Sequence, residues 1–172
     1  LQFFPNEFLT GNFDQDKELE IIYLSEDNAF SICNLREDTN TCNTTPLYEN
    51  EELCFPTSYD IEDMNMDGHL DVIANCYKVN FIEGTFEPGL SIFHGDGNGD
   101  FSELIVPIQP SISLSINIAD LDGDGDKDII KGNQIDQLDD NLLVNILHDK
   151  VKTRETASLW WYENIGNDNF SE

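Results

Sequence analysis

An acidic stretch that returns three times constrains this 172-residue chain more than any other feature. Residues 120–130, DLDGDGDKDII, align without a gap on residues 63–73, DMNMDGHLDVI, at an offset of 57 (120 − 63). A decayed copy, NFDQDKELEII, occupies residues 12–22, at an offset of 51 (63 − 12). A repeat of this kind means that one supersecondary unit is used several times, so the fold must be built by placing similar units side by side.

The flanks repeat too. Pro5, Pro56 and Pro110 each precede an alternating run that enters the acidic loop, and an apolar run follows it: LEIIYL, LDVIANCY or DIIKGN. Further on come AFSIC, LSIFHGDGNGDFSE and LWWYENIGNDNFSE, the last two ending in the same Phe-Ser-Glu. Period-2 alternation with β-branched and aromatic residues, without a sustained 3.6-residue pattern, predicts an all-β chain. Each unit reads as strand, acidic loop, strand, linker, strand and turn, with repeats at 1–53, 54–107 and 108–172. Units of about 50 residues with about four strands have the size of one β-propeller blade. Residues 133–158 read as an insertion in the third linker, with room for a helical turn.

Acids on alternate residues repel one another, and placing them in a tight turn between apolar strands is costly unless a cation sits among them. Oxygen ligands at every second position suit a hard cation that takes about 6–8 oxygens, which points to calcium. In the third loop the predicted ligands are Asp120, Asp122, Asp124 and Asp128, with the main-chain carbonyl of Asp126. In the second they are Asp63, Asn65, Asp67 and Asp71, with the carbonyl of His69. Gly68 and Gly125 share the sixth position, where a sharp turn calls for positive φ. The first loop offers Asn12, Asp14, Asp16 and Glu20, but Lys17 replaces the glycine and the last acid is longer, so weak binding or none is expected.

An EF-hand starts in the same way yet needs a bidentate glutamate at position twelve, where this chain has Lys131 and Ala74. Magnesium wants a stricter octahedron and keeps several waters. Zinc wants His or Cys, which the loops lack apart from His69.

With 35 acidic against 8 basic residues, a net charge of −27 argues on electrostatic grounds against binding to nucleic acid or an anionic membrane surface. Outside the loops, the acid excess equally fits solubility in a salty medium. Four cysteines without Cys-x-x-Cys or Cys/His spacing suit two disulfides, Cys33 with Cys42 and Cys54 with Cys76, in an oxidising compartment; four buried free thiols are the alternative. Sequons at Asn43 and Asn169 fit secretion. No run of apolar residues is long enough for a membrane-spanning helix. The chain starts at Leu1 without a signal-peptide pattern, as a processed or excised product would.

No nucleophile elbow, Walker loop, H-E-x-x-H or Ser/His/Asp grouping is visible, so the chain is not expected to be an enzyme. His69, His94 and His148 are isolated, and His94 reads as a turn-adjacent surface residue. Asp96, Asn98 and Asp100 read as hairpin-turn residues rather than a further cation site. Of Trp160 and Trp161, alternation sends one into the core; the other is free to pack or to stack on a sugar ring.

With DMNMDGHLDVIAN (63–75), DLDGDGDKDIIKGN (120–133), IFHGDGNGDF (92–101) and WWYENIGNDNF (160–170) in view, the chain resembles the FG-GAP/VCBS repeat family, including the calcium-binding blades of integrin α-subunit propellers. The resemblance implies a seven-bladed propeller whose loops each join two strands of a blade and are stiffened by calcium. About three repeats cannot close such a ring. The expectation is therefore a piece of a longer protein, or a subunit that meets copies of itself. Two functions follow: an extracellular scaffold, adhesion or recognition module with a glycan or protein partner, or the propeller portion of a secreted polysaccharide-active enzyme.

Overall fold

The computed structural model describes residues 8–25, 29–35, 40–46, 48–49, 52–80, 82–106, 112–135, 158–166 and 169–171. Among these residues the chain is all-β, with no helix. The first sheet contains β1 (Phe8–Gly11), β2 (Glu20–Leu24), β3 (Ala29–Leu35) and β4 (Asn40–Pro46). The second contains β5 (Tyr48–Glu49), β6 (Glu52–Glu62), β7 (Asp71–Asn80), β8 (Thr85–Gly95) and β9 (Phe101–Val106). The third contains β10 (Ile112–Ala119), β11 (Asp128–Ile135), β12 (Ser158–Asn164) and β13 (Phe170–Ser171). In each sheet the strands lie in chain order and pair antiparallel, and the sheets follow one another without closing on themselves.

Four strands per unit are as expected, and the short β5 adds a fifth to the middle sheet. The expected insertion over 133–158 starts as strand, since β11 continues to Ile135 and β12 opens at Ser158; residues 136–157 lie outside the described residues, as do Pro5, Pro110 and His148.

Alternation explains the layering. In β2, Glu20, Ile22 and Leu24 are buried while Ile21 and Tyr23 are not, the period-2 pattern of a sheet covered on one face. In β7 all six residues from Asp71 to Cys76 are buried, because the middle sheet is covered on both faces. Val72 and Ala74 join a core with Ile22, Leu24, Phe30 and Ile32 of the first sheet. Ile73, one residue out of phase, joins Leu90, Ile92, Ile129 and Tyr162 in a second core shared with the third sheet. Burying each such aliphatic side chain contributes about 1.5–3 kcal/mol. Edge-to-face contacts tie the first core together: Phe30 to Tyr59 at 5.4 Å and Phe30 to Phe93 at 5.7 Å.

Both expected disulfides are present and no cysteine is free. Cys33 and Cys42 face each other across β3 and β4, and Cys54–Cys76 joins β6 to β7. Closing loops of 9 and 22 residues restricts the unfolded chain and stabilises by about 2–4 kcal/mol each. Trp160 packs against the second core and Trp161 faces outward, as alternation requires.

Candidate metal centre

The three acidic stretches form the loops β1–β2, β6–β7 and β10–β11, each joining two neighbouring antiparallel strands of one sheet. The loops share one rim of the molecule. Gln15 Nε2 of the first lies 3.3 Å from His69 Nδ1 of the second, and Lys127 Nζ of the third lies 3.7 Å from Glu62 Oε1 beside the second. The β8–β9 turn meets them there, since a Cβ on Gly97 would collide with Gln15 and His69.

Within each loop, side-chain oxygens cap main-chain amides of the same turn. In the second loop, Asp63 accepts from the amides of Asp67 (3.1 Å) and Gly68 (2.9 Å), and Asn65 Oδ1 from Asp67 (3.0 Å). Asp67 accepts from the His69 amide at 2.8 Å and from Asn65 Nδ2 at 3.0 Å. In the third, Asp120 accepts from Gly123 (2.6 Å), Asp122 from Asp124 (3.2 Å) and Asp124 from Asp126 (3.1 Å). In the first, Asp14 accepts from the Asp16 amide (3.1 Å) and Asp16 from Glu18 (2.6 Å), while Asn12 Nδ2 donates to the Asp16 carbonyl (2.6 Å). This capping holds alternate side chains against the main chain of their own turn.

Two acidic groups converge among the described residues. Oxygens of Asp14, Asp16 and Glu20 lie within 4.8 Å of one another, and so do those of Asp120, Asp122 and Asp124. Crowding has an electrostatic signature in the third loop: a hydrogen bond shared with Asp124, together with the charges of Asp124, Asp128 and Asp122, pushes the Asp126 carboxyl up to about 6. In the first loop, burial pushes the Glu20 carboxyl up, and the charges of Asp14 and Asp16 push the same way.

The ninth-position acid has a second role that its spacing alone does not reveal. Asp71 and Asp128 are fully buried beneath their loops. Asp71 Oδ2 accepts from the Met64 amide at 2.8 Å and Oδ1 from the Gly95 amide at 3.0 Å, at the end of β8. Asp128 does the same with Leu121 at 3.0 Å and Asn164 at 2.9 Å, at the end of β12. Each carboxylate thus pins the start of its loop to the far end of the third strand. A carboxylate oxygen has a lone pair to spare beyond one N–H, so both residues keep ligand capacity. Glu20 makes only half of this arrangement: Oε2 accepts from the Phe13 amide at 2.7 Å, whereas Oε1 is buried and has no partner among the described residues. Asn12 Oδ1 is likewise buried and unpartnered there.

Positive φ occurs at Gly68 (91°) and Gly125 (106°), as the spacing predicts. It also occurs at the fourth position of every loop, Gln15 (61°), Met66 (59°) and Gly123 (81°), and only the third copy signals this with a glycine. His94 differs from the surface position expected for it: its Nδ1 lies 3.4 Å from Asp71 Oδ2 and its side chain is mostly buried. The 96–100 segment forms the expected turn, with Asp96 Oδ1 accepting from the amides of Asn98 (2.8 Å) and Asp100 (3.1 Å). Sequence reasoning passed over Lys131, which is fully buried in β11, has no acceptor for Nζ among the described residues, and is pulled down to about 8 by burial.

Residues 63–130, which span the second and third loops, match the family model of the FG-GAP-like repeat. No curated protein and no solved structure matches the chain.

Proposed function

We propose, from the FG-GAP-like repeat at the centre of this chain, that it is a calcium-stabilised extracellular β-propeller module acting as a scaffold, adhesion or recognition unit, with no catalytic step of its own. The observation that supports this best is Glu20, which keeps a buried carboxylate oxygen, Oε1, unpartnered among the described residues and brings an oxygen within 4.8 Å of oxygens of Asp14 and Asp16. A buried acceptor left without a donor or cation costs about 1–3 kcal/mol, and more when charged. A divalent ion would remove that cost and the repulsion together.

Three sets of residues would hold the ions. Asp120, Asp122, Asp124 and Asp128 would act with the Asp126 carbonyl, and Asp63, Asn65, Asp67 and Asp71 with the His69 carbonyl. Asn12, Asp14, Asp16 and Glu20 would form the third set. All are oxygen donors, the chemistry calcium prefers. Two disulfides, and sequons whose Asn43 and Asn169 are exposed, fit an oxidising, extracellular setting.

A ligand bound only by the folded chain stabilises it by RT ln(1 + [L]/Kd), about 2.7 kcal/mol at about one hundred times Kd. Thermal melting in EDTA and then in millimolar calcium tests the reading. The melting temperature should rise with calcium, and Asp124→Ala should remove a large part of the rise. An unchanged melt, together with no heat on calorimetric titration with calcium, would refute it.

A further inference from the structure

The two outer faces of the three-sheet stack carry the two halves of an interface that the molecule already closes twice inside. Residues 73 and 130 are equivalent in the repeat (130 − 57 = 73). The ladder then makes Trp161 the counterpart of Ile92, since Ile73 pairs with Ile92 and Ile130 with Trp161. Leu159 is the counterpart of Leu90, since Asn75 pairs with Leu90 and Gly132 with Leu159. Ile73, Leu90 and Ile92 are 0% exposed because the third sheet covers them. Leu159 is 75% exposed and Trp161 43%.

The first sheet shows the complementary half. With the offset of 51, Phe8 corresponds to Tyr59 and Tyr23 to Ala74. Tyr59 and Ala74 are 4% and 0% exposed, covered by the first sheet, whereas Phe8 is 66% exposed and Tyr23 38%. Inside the molecule Phe30 meets Tyr59 edge-on at 5.4 Å. Leu159 occupies the place of Phe30 in its own sheet, and Phe8 occupies the place of Tyr59.

Charge supports the match. The cross-strand rows of the outer third sheet are Asn117–Ile130–Trp161 and Ser115–Gly132–Leu159. Those of the outer first sheet are Thr10–Ile21–Cys33–Cys42 and Phe8–Tyr23–Ser31–Thr44, in which Ser31 and Cys33 are already buried and Phe8 and Tyr23 form the exposed part. None of the four contains a charged residue, in a chain that is 25% charged with a net −27. Strong net repulsion elsewhere makes these uncharged, partly apolar rows the places where a like-charged copy can approach, with Glu163 in the row beyond Trp161 as the charge at their border.

We propose that the third sheet of one copy of this chain docks head to tail on the first sheet of a second copy, with Leu159 and Trp161 packing against Phe8 and Tyr23. The inference rests on the blade-like reading of the sheets under Proposed function, though not on calcium. A contact between two different faces leaves one of each free, so association continues to a ring or a filament.

Sedimentation of the purified chain from about 1 to about 100 µM tests this, run in calcium and in EDTA. Mass should increase with concentration beyond the dimer. Leu159→Asp and Phe8→Asp should each weaken self-association at least ~10-fold, since each places a charge where an apolar side chain is buried. Mixed in equal amounts, the two variants should form a heterodimer and stop there, because each retains the face that the other lacks. Near-ultraviolet circular dichroism confirms that the variants are folded; Leu159→Ser and Phe8→Ser replace any that is not. A wild-type chain that stays monomeric throughout would overturn the inference. So would a dimer lost in one variant and kept in the other, or one kept in both. Association in the absence of any calcium effect on melting would leave this inference standing and remove only the calcium reading.

Discussion

The first and third acidic loops have the same spacing and the same capped turn, yet their ninth-position acids are held differently. Asp128 places one oxygen on the Leu121 amide and the other on Asn164, so it is a structural anchor whether or not a cation is present. Glu20 reaches the Phe13 amide with one oxygen and leaves the other buried without a partner among the described residues. With its extra methylene, Glu20 keeps the bond to the start of its loop but makes none to the end of the third strand among the described residues. The loop that departs furthest from the repeat as a sequence is the one whose ninth-position acid keeps a buried oxygen unpartnered among the described residues.

The largest expected effect tests the anchor. Asp128→Ala strands the buried Asn164 amide and frees the part-buried Leu121 amide, and should lower stability by about 2–4 kcal/mol in EDTA as well as in calcium, measured by denaturant unfolding. If the loss vanished in EDTA, Asp128 would be a ligand only and the contrast with Glu20 would collapse.

Glu20→Gln should behave in the opposite way. Without calcium it removes a buried charge beside Asp14 and Asp16 and should stabilise by about 1–2 kcal/mol. With calcium present it removes a ligand oxygen's charge, so the gain should shrink or reverse, and calorimetric titration should register one weaker site. The same sign in both conditions would break the comparison.

The smallest effect concerns the fourth position. Gly123 has φ 81° and no neighbour within 4 Å of a Cβ, so Gly123→Ala should cost about 1 kcal/mol from backbone strain alone, read as a shift in the denaturant midpoint. Gln15 and Met66 already carry that strain in the other two loops.

Much of this was legible in the residues. The offsets of 57 and 51 show that one unit is reused, alternation assigns its strands, and cysteines nine and twenty-two residues apart pair as expected. These are local properties, fixed by side-chain period, turn chemistry and short loop closure, and a linear pattern carries them in full. Three features are different in kind. The Asp71 and Asp128 anchors depend on amides 24 and 36 residues away, at Gly95 and Asn164. The left-handed backbone at Gln15 and Met66 has no residue-type signal. Lys131 reads as an ordinary charge after an apolar pair, and becomes fully buried only because its strand lies against the middle sheet.

The sequence by itself therefore determined the repeated β-unit, the oxygen-lined turns and the disulfide pairs, because each is set by neighbours along the chain. Only the tertiary structure decided which acids are anchors and which oxygen is left without a partner. It likewise decided which sheet faces are covered. Burial and the arrival of a distant strand end arise when sheets stack, and nothing in the local spacing encodes them.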